Sequence, residues 1–399
     1  MKILWIKADF LHPTDRGGQI RSLETLRRLH SRHEVHYVAH VSENDREGPA
    51  RASEYSSFSY PIPHHIPGRT TPAFYAQLLR NLASPLPLAV HRYATAGMQR
   101  AVRELMDQHN FDVIVCDFLN MAPNVPDLSR CVLFQHNVES TIWQRQAAHS
   151  PDILRKAYFN SQARRMLSYE QHACQNVAHV IAVSDADADR MRSLYGVSHI
   201  SVVPTGVDVD FFAPPAAVTR SSDLVFVGSM EWLPNVDGAH YFVREVLPLI
   251  RRTRPDCSLV LAGRAPTAEI RALAQADPRI KVTGTVPDIR PHVWEAAVSI
   301  VPLRIGGGTR LKIYESMAAG TPVVSTSIGA EGLPLRDGEH LFLADNPASF
   351  AERCFELLEQ PALAERMSAT ARRLVAAEFS WERVSRRFED VLESVTVKS

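Results

Sequence analysis

The feature that most constrains the fold is a rhythm that the chain runs through twice. Residues 3–8 are a short apolar run, residues 12–18 a turn-rich segment ending in Gly17-Gly18, and Ile20, Leu23, Leu26 and Leu29 recur at helical spacing before a second apolar run at 34–39. Strand, glycine loop, helix and strand make a βαβ unit, and such a crossover implies a parallel sheet. Runs at 113–116, 132–134 and 180–183 read as further central strands, with a helical stretch from about 151 to 175 and an N-cap pair at Ser184-Asp185. Pro204-Thr205-Gly206 and Pro214-Pro215 interrupt the pattern, which restarts with runs at 224–227, 258–263, 280–282, 298–301 and 322–325. Helices are expected near 238–252, 267–275 and 310–319 between those runs, and near 348–358, 361–377 and 380–395 after them. The expected architecture is α/β, with two Rossmann-like doubly wound domains facing a central cleft. Their bounds are set at 1–215 and 216–379, with 380–399 a helix that packs back on the first domain.

A chain of 399 residues suits two cores rather than one. Lys plus Arg equals Asp plus Glu at 44 each, so no global field draws in nucleic acid or an anionic membrane, and any basic site must be local. The five cysteines are odd in number, scattered and without metal-ligand spacing, and read as small buried hydrophobes in a reducing compartment. The apolar run at the N-terminus meets Lys7 and Asp9 too soon for a signal peptide, and no stretch approaches the ~20 apolar residues of a membrane span. The expected location is cytoplasmic, with peripheral attachment at the inner face of the cell membrane left open.

Chemistry concentrates between Ile305 and Pro322. Gly306, Gly307 and Gly308 let backbone N–H groups come close to a ligand and open a helix whose N-terminus favours an anion. Thr309, Arg310, Leu311 and Lys312 form its first turn, and Glu315 lies three residues beyond Lys312. A phosphate fits there. Read blandly, the same residues are a glycine turn and a solvated Lys312–Glu315 pair worth a few tenths of a kcal/mol.

The whole segment resembles the signature of glycosyltransferase family 4, a glycine-rich loop leading into K-x-x-E-x-M-A-x-G-x-P-V-V. Other pieces are similar in the same order: Val183-Ser184, then Val202-Val203-Pro204-Thr205-Gly206-Val207-Asp208 with Phe212, Val227-Gly228-Ser229-Met230, and Leu261-Ala262-Gly263-Arg264. The resemblance covers nearly the whole chain and implies the GT-B fold and a retaining transferase. Its donor would be a nucleotide-diphosphate sugar, used as substrate with no further cofactor and no bound metal. It implies that Glu315 accepts hydrogen bonds from the ribose and that Arg310, Lys312 and the Gly306–Thr309 backbone hold the diphosphate. It further implies that Gly228 lines the donor site, that Val286 meets the base through its main chain, and that Gly17 and Gly18 form the loop of the first domain. His136, just after a predicted strand, matches a family histidine near the donor sugar. The implied acceptor is a saccharide or lipid-linked chain in cell-surface polysaccharide or glycolipid synthesis, met by the first domain; nucleic acid is not an expected partner.

Two departures stand out. Gly307 occupies the place of a second family glutamate, and the stretch 228–235 has no basic residue where many members carry an Arg and a Lys. They leave open a non-catalytic nucleotide-sugar-binding protein of the same fold, against which the joint presence of His136, Arg310, Lys312 and Glu315 argues. Asp208-Val209-Asp210 has the form of a metal-holding pair but follows the inter-domain turn, and Asp185, Asp187 and Asp189 fit a helix's first turns better than a calcium loop. A nicotinamide site would need a full G-x-G-x-x-G and a serine hydrolase a G-x-S-x-G, and neither is present. Residues 61–93 alternate Phe74, Tyr75, Leu78, Leu79 and Leu82 with arginines, which allows a packed amphipathic helix, an acceptor lid or a membrane-surface helix.

Overall fold

The computed structural model describes residues 1–14, 17–68, 70–148, 152–219, 221–305 and 311–396. The chain divides into two compact units, Met1–Pro204 with Val384–Ser399, and Thr205–Arg383.

Unit 1 is built on seven parallel strands: β1 (Lys2–Lys7), β2 (Glu34–Val41), β3 (Phe58–Pro63), β4 (Val113–Asp117), β5 (Cys131–Phe134), β6 (His179–Ala182) and β7 (Ile200–Val202), in the order β3-β2-β1-β4-β5-β6-β7. β1 and β4 are buried along nearly their whole length, as strands covered by helices on both faces must be. β3, at the sheet edge, is the start of the segment in which the sequence reading saw a helix or lid. Pro61 and Pro63 pair there with Ala39 and Val41 of β2, and an edge is where a strand tolerates proline. The helix Pro72–Leu82 follows, N-capped by Thr71. The helix Asp185–Tyr195 has Ser184 as its N-cap and left-handed Gly196 as its C-cap.

Unit 2 has six parallel strands: β8 (Ser222–Val227), β9 (Leu259–Ala262), β10 (Ile280–Val282), β11 (Ala296–Val301), β12 (Val323–Ser325) and β13 (Phe342–Leu343), ordered β10-β9-β8-β11-β12-β13. Its first helix begins at Leu233, earlier than the periodicity suggests, with Pro234 in the first turn. That start brings Asn235 into the turn nearest β8.

The units divide between Pro204 and Thr205 rather than near Pro215, for a local reason. Val207 N–H donates to Phe379 O at 2.8 Å, and Phe212 is buried in the core of unit 2. The last helix, Trp381–Thr396, passes into unit 1 at Val384. Within unit 1, Phe388 packs on Trp5 and Phe134 at ring separations of 5.6 and 4.9 Å, and Glu389 pairs with Arg32 at 2.8 Å. All five cysteines are buried thiols.

Candidate active site

In unit 1 the strand order reverses between β1 and β4, and both strands end on a buried charge. Lys7 closes β1 and Asp117 closes β4, with exposures of 1% and 0%. Loops leave such a switch point in opposite directions and open a crevice at the strand ends, where open α/β sheets take ligands. Asp117 is the hub of a buried network. Lys7 Nζ pairs with its Oδ2 at 2.9 Å, and Trp5 Nε1 and Ser22 Oγ donate to the same oxygen at 3.0 and 2.6 Å. Its Oδ1 lies 2.8 Å from His136 Nε2. Burial alone would raise this carboxyl, but the charge of Lys7 and the hydrogen bonds it accepts from His136 and Ser22 hold it well below the usual carboxylate range.

His136 follows β5 and is buried. Its ring stacks on Phe118 at 3.9 Å and 13°, and its Nδ1 lies 3.2 Å from Arg21 Nη1. Burial is the main cause that lowers its pKa to about 3; Asp117 works against that shift, and the Arg21 and Lys7 cations add to it. Phe118 has a backbone φ of +77°, uncommon for a bulky residue, and this conformation turns its ring over the imidazole. Arg21, one turn into the helix Gly17–His30, is 2% exposed, and its Nε and Nη2 have no hydrogen-bond partner among the described residues. Burial takes its pKa down to about 10, with Asp117 and Asp187 pulling it up. A methyl on Gly18 would lie 3.0 Å from Phe118 Cζ and 3.6 Å from His136 Nδ1; Gly17 and Gly18 are the first residues of the helix rather than a loop, and that first turn meets His136. Lys7, Arg21 and Asp117 carry no signal as isolated residues; the reversal of strand order brings them together.

In unit 2 the order reverses between β8 and β11. Gly228 follows β8, and the helix Leu311–Ala318 follows β11. Lys312 Nζ donates to Asn235 Oδ1 at 2.8 Å, and Asn235 Nδ2 donates to Ser229 O at 2.9 Å, which fixes the amide. The ammonium also stands 4.7 Å from the Phe226 ring centre. A methyl on Gly228 would come within 2.5 Å of Asn235 Nδ2 and 2.9 Å of Lys312 Nζ, so only glycine leaves room for this pair. Gly263, with φ +149°, ends β9 against Gly228: a methyl there would lie 1.8 Å from Gly228 O. Arg264 follows and reaches Glu231 at 3.6 Å. It brings to the ends of β8 and β9 a guanidinium of the kind the sequence reading had found missing from 228–235.

Glu315 is partly buried, and among the described residues its carboxylate accepts no hydrogen bond. Burial pushes it up to about 7, partly offset by Lys312. An ionised carboxylate only accepts, so this one is suited to hydroxyl donors from a ligand. Leu311 opens the described helix, and Val286 lies in the loop after β10, where Gly284 has φ +69°. Gly306, Gly307, Gly308, Thr309 and Arg310 lie outside the described residues. Among the described residues no group of three or more His, Cys, Asp or Glu side chains is placed to hold a metal ion.

The family model for Glycosyltransferase Family 4 matches residues 16–211, and that for glycosyl transferases group 1 matches residues 221–360. The chain belongs to the group 1 glycosyltransferases of family 4. A 44.6 kDa protein in the cps region of Klebsiella pneumoniae is 22% identical over 88% of this chain and 89% of its own length. The phosphatidyl-myo-inositol mannosyltransferase of Mycobacterium tuberculosis is 27% identical over 74% of this chain and 77% of its own. The crystal structure of Anabaena HepE in complex with UDP and glucose superposes with a TM-score of 0.69 at 14% identity, covering 99% of this chain and 100% of that one. The family 4 glycosyltransferase described here therefore has the GT-B architecture of two Rossmann-like domains and is a transferase enzyme. Among its described residues no helix is long and apolar enough to cross a membrane.

Proposed function

We propose that this glycosyltransferase moves a sugar from a nucleoside-diphosphate donor, bound by unit 2, to a hydroxyl of a saccharide or lipid-linked acceptor held by unit 1, with the anomeric configuration retained. The observation that carries the reading is Lys312, fixed by Asn235 against Gly228 at the strand-order reversal of unit 2. Cleavage of the donor leaves negative charge on the departing diphosphate, and a preorganised cation lowers the barrier because it is in place before that charge develops. Lys312 supplies it, joined on the sequence by Arg310 and the Gly306–Thr309 amides; the chemistry then runs without a bound metal. Glu315 takes the ribose hydroxyls. Asp117 and Arg21 set the ring of His136 beside Gly18, in the first turn of the helix Gly17–His30.

The product belongs to cell-surface polysaccharide or glycolipid. The relative in a cps region and the one named for a phosphatidyl-inositol acceptor support that class. A lipid-borne acceptor also suits the surface of unit 1. Tyr75, Leu79 and Leu82 stand exposed along one face of the helix Pro72–Leu82, and Ile153 and Leu154 open the helix Ile153–Asn176. Arg165 of that second helix donates to Asn81 O and Leu82 O at the end of the first, at 2.7 and 3.2 Å. The exposed face of the helix Pro72–Leu82 suits the inner face of the cell membrane. Leu78 is the half-buried neighbour, so Leu79→Glu with Leu82→Glu is the cleaner test: co-sedimentation with anionic liposomes is expected for the wild type and lost in the double variant.

The donor assignment is tested by thermal stabilisation with UDP, GDP, ADP and their sugars in EDTA, since a ligand that binds only the folded state raises Tm. A selective shift for one base, lost in Glu315→Ala, is expected; equal shifts in both proteins would move the ribose contact elsewhere.

A further inference from the structure

Unit 1 holds a cavity of about 290 Å³ whose walls include Arg92, Tyr93, Phe118, Asn120, Glu139 and Met166. It lies at the small end of ligand pockets, which run from roughly 300 to 1,000 Å³, and suits one small ring better than an extended chain. Phe118, one of its walls, is the residue that stacks on His136, so the cavity begins one ring away from the buried network.

Its polar groups lack partners in a way that a core does not tolerate. Asn120 Oδ1 and Arg92 Nε are buried and make no hydrogen bond among the described residues. The Glu139 side chain has one long contact, Asn137 Nδ2 at 3.4 Å. Its backbone is tied down: Glu139 N and Ser140 N donate to Glu170 Oε1 and Oε2 at 2.9 and 2.8 Å, which caps the helix Glu139–Ala148 with a buried carboxylate. Two unpaired atoms and one carboxylate with a single long contact thus belong to side chains around one small space. Tyr93 and Phe118 add ring surface beside them. Hydroxyls that donate and accept, on a ring with an apolar face, answer this whole set.

We propose that this cavity takes a sugar ring of the acceptor, with the Glu139 carboxylate accepting from its hydroxyls, the Asn120 amide and Arg92 guanidinium beside it, and Tyr93 and Phe118 covering its apolar face. The proposal rests on the reading of the protein as a transferase with a hydroxyl acceptor on unit 1. Burial and the charge of Glu170 raise Glu139 to about 7; a donating hydroxyl stabilises its ionised form.

The test uses the full chain and millimolar methyl glycosides of glucose, galactose, mannose and N-acetylglucosamine, read by saturation-transfer NMR, with the Tm shift by nucleoside diphosphates recorded on the same samples. One glycoside is expected to bind, and Glu139→Gln and Asn120→Leu each to weaken it by roughly tenfold, the loss that one hydrogen bond gives, with the nucleotide shift intact. The intact shift shows that the variants are folded. Binding of a glycoside that neither variant changes would overturn the proposal, as would no glycoside binding to a wild-type protein that takes nucleotide. Glycoside binding lost in both variants at an unchanged ligand-free Tm, with no nucleotide shift in any protein, would support the cavity and sink the donor reading instead.

Discussion

Arg21 Nη1 lies 3.2 Å from His136 Nδ1, and this contact fixes which ring nitrogen carries the proton. A guanidinium only donates, so Nδ1 must accept, and Nε2–H then donates to Asp117 Oδ1 at 2.8 Å. His136 is thereby held as one neutral tautomer with both nitrogens engaged inside the protein.

The imidazole is expected to stay neutral at pH 5, with ¹⁵N shifts of the Nε2–H form. The folded pKa, about 3, lies below the usual 6.5, so the unfolded chain binds the proton first. This residue therefore contributes stability at pH 7 that is lost as pH falls from about 6.5 towards 3. Arg21→Met removes a cation and should move the titration up; an unmoved titration would detach Arg21 from the ring.

Asp117→Asn leaves Lys7 and Arg21 buried without their carboxylate. Removing one partner of a buried ion pair destabilises by about 3–5 kcal/mol, and urea unfolding should show a loss of that size. Adding Lys7→Met should recover much of it. Equal stability of Asp117→Asn and wild type would mean that the 2.9 Å pair contributes nothing.

Much of this was open to a reader of the sequence, and the physical reason is burial. β1, β4, β5 and β9 are buried on both faces and announce themselves as apolar runs. β3 was missed because an edge strand carries prolines, and β13 because two residues are too few to show a period. Lys312 and Glu315 were legible because one helix turn holds them together in sequence. Asn235 was not, because its amide matters only where the helix start at Leu233 brings it to Lys312. Asp117, Arg21 and Lys7 were hidden likewise, since only the sheet order makes neighbours of residues 95 to 112 positions apart.

Gly228→Ala probes the Lys312–Asn235 pair without touching either residue. The added methyl meets the buried Asn235 amide and the Lys312 ammonium, both side-chain groups rather than backbone, so the fold should survive while the pair shifts and Lys312 moves. The expected outcome is a donor KM raised by roughly tenfold to a hundredfold, as an ångström of misplacement gives, with Tm changed by only a few degrees. An unchanged KM would show that the position of Lys312 does not matter.

Glu315 should make the unliganded enzyme less stable as pH rises. Its folded pKa is about 7 against a usual 4.5, so the folded state keeps a proton that the unfolded state has lost, and stability falls from about pH 4.5 to 7. Glu315→Gln should melt with the wild type at pH 4.5 and above it at pH 8. A constant difference across that range would place the carboxylate in an ordinary environment.

The most direct measurement is release of nucleoside diphosphate from the donor that stabilises the protein, with acceptor present, by wild type and Lys312→Met. The wild type should turn over, unchanged by EDTA, and the variant should lose roughly 100- to 1,000-fold in kcat/KM, the loss seen when one donor to developing negative charge is removed. Equal turnover by the two proteins would contradict the placement of the leaving diphosphate at Lys312.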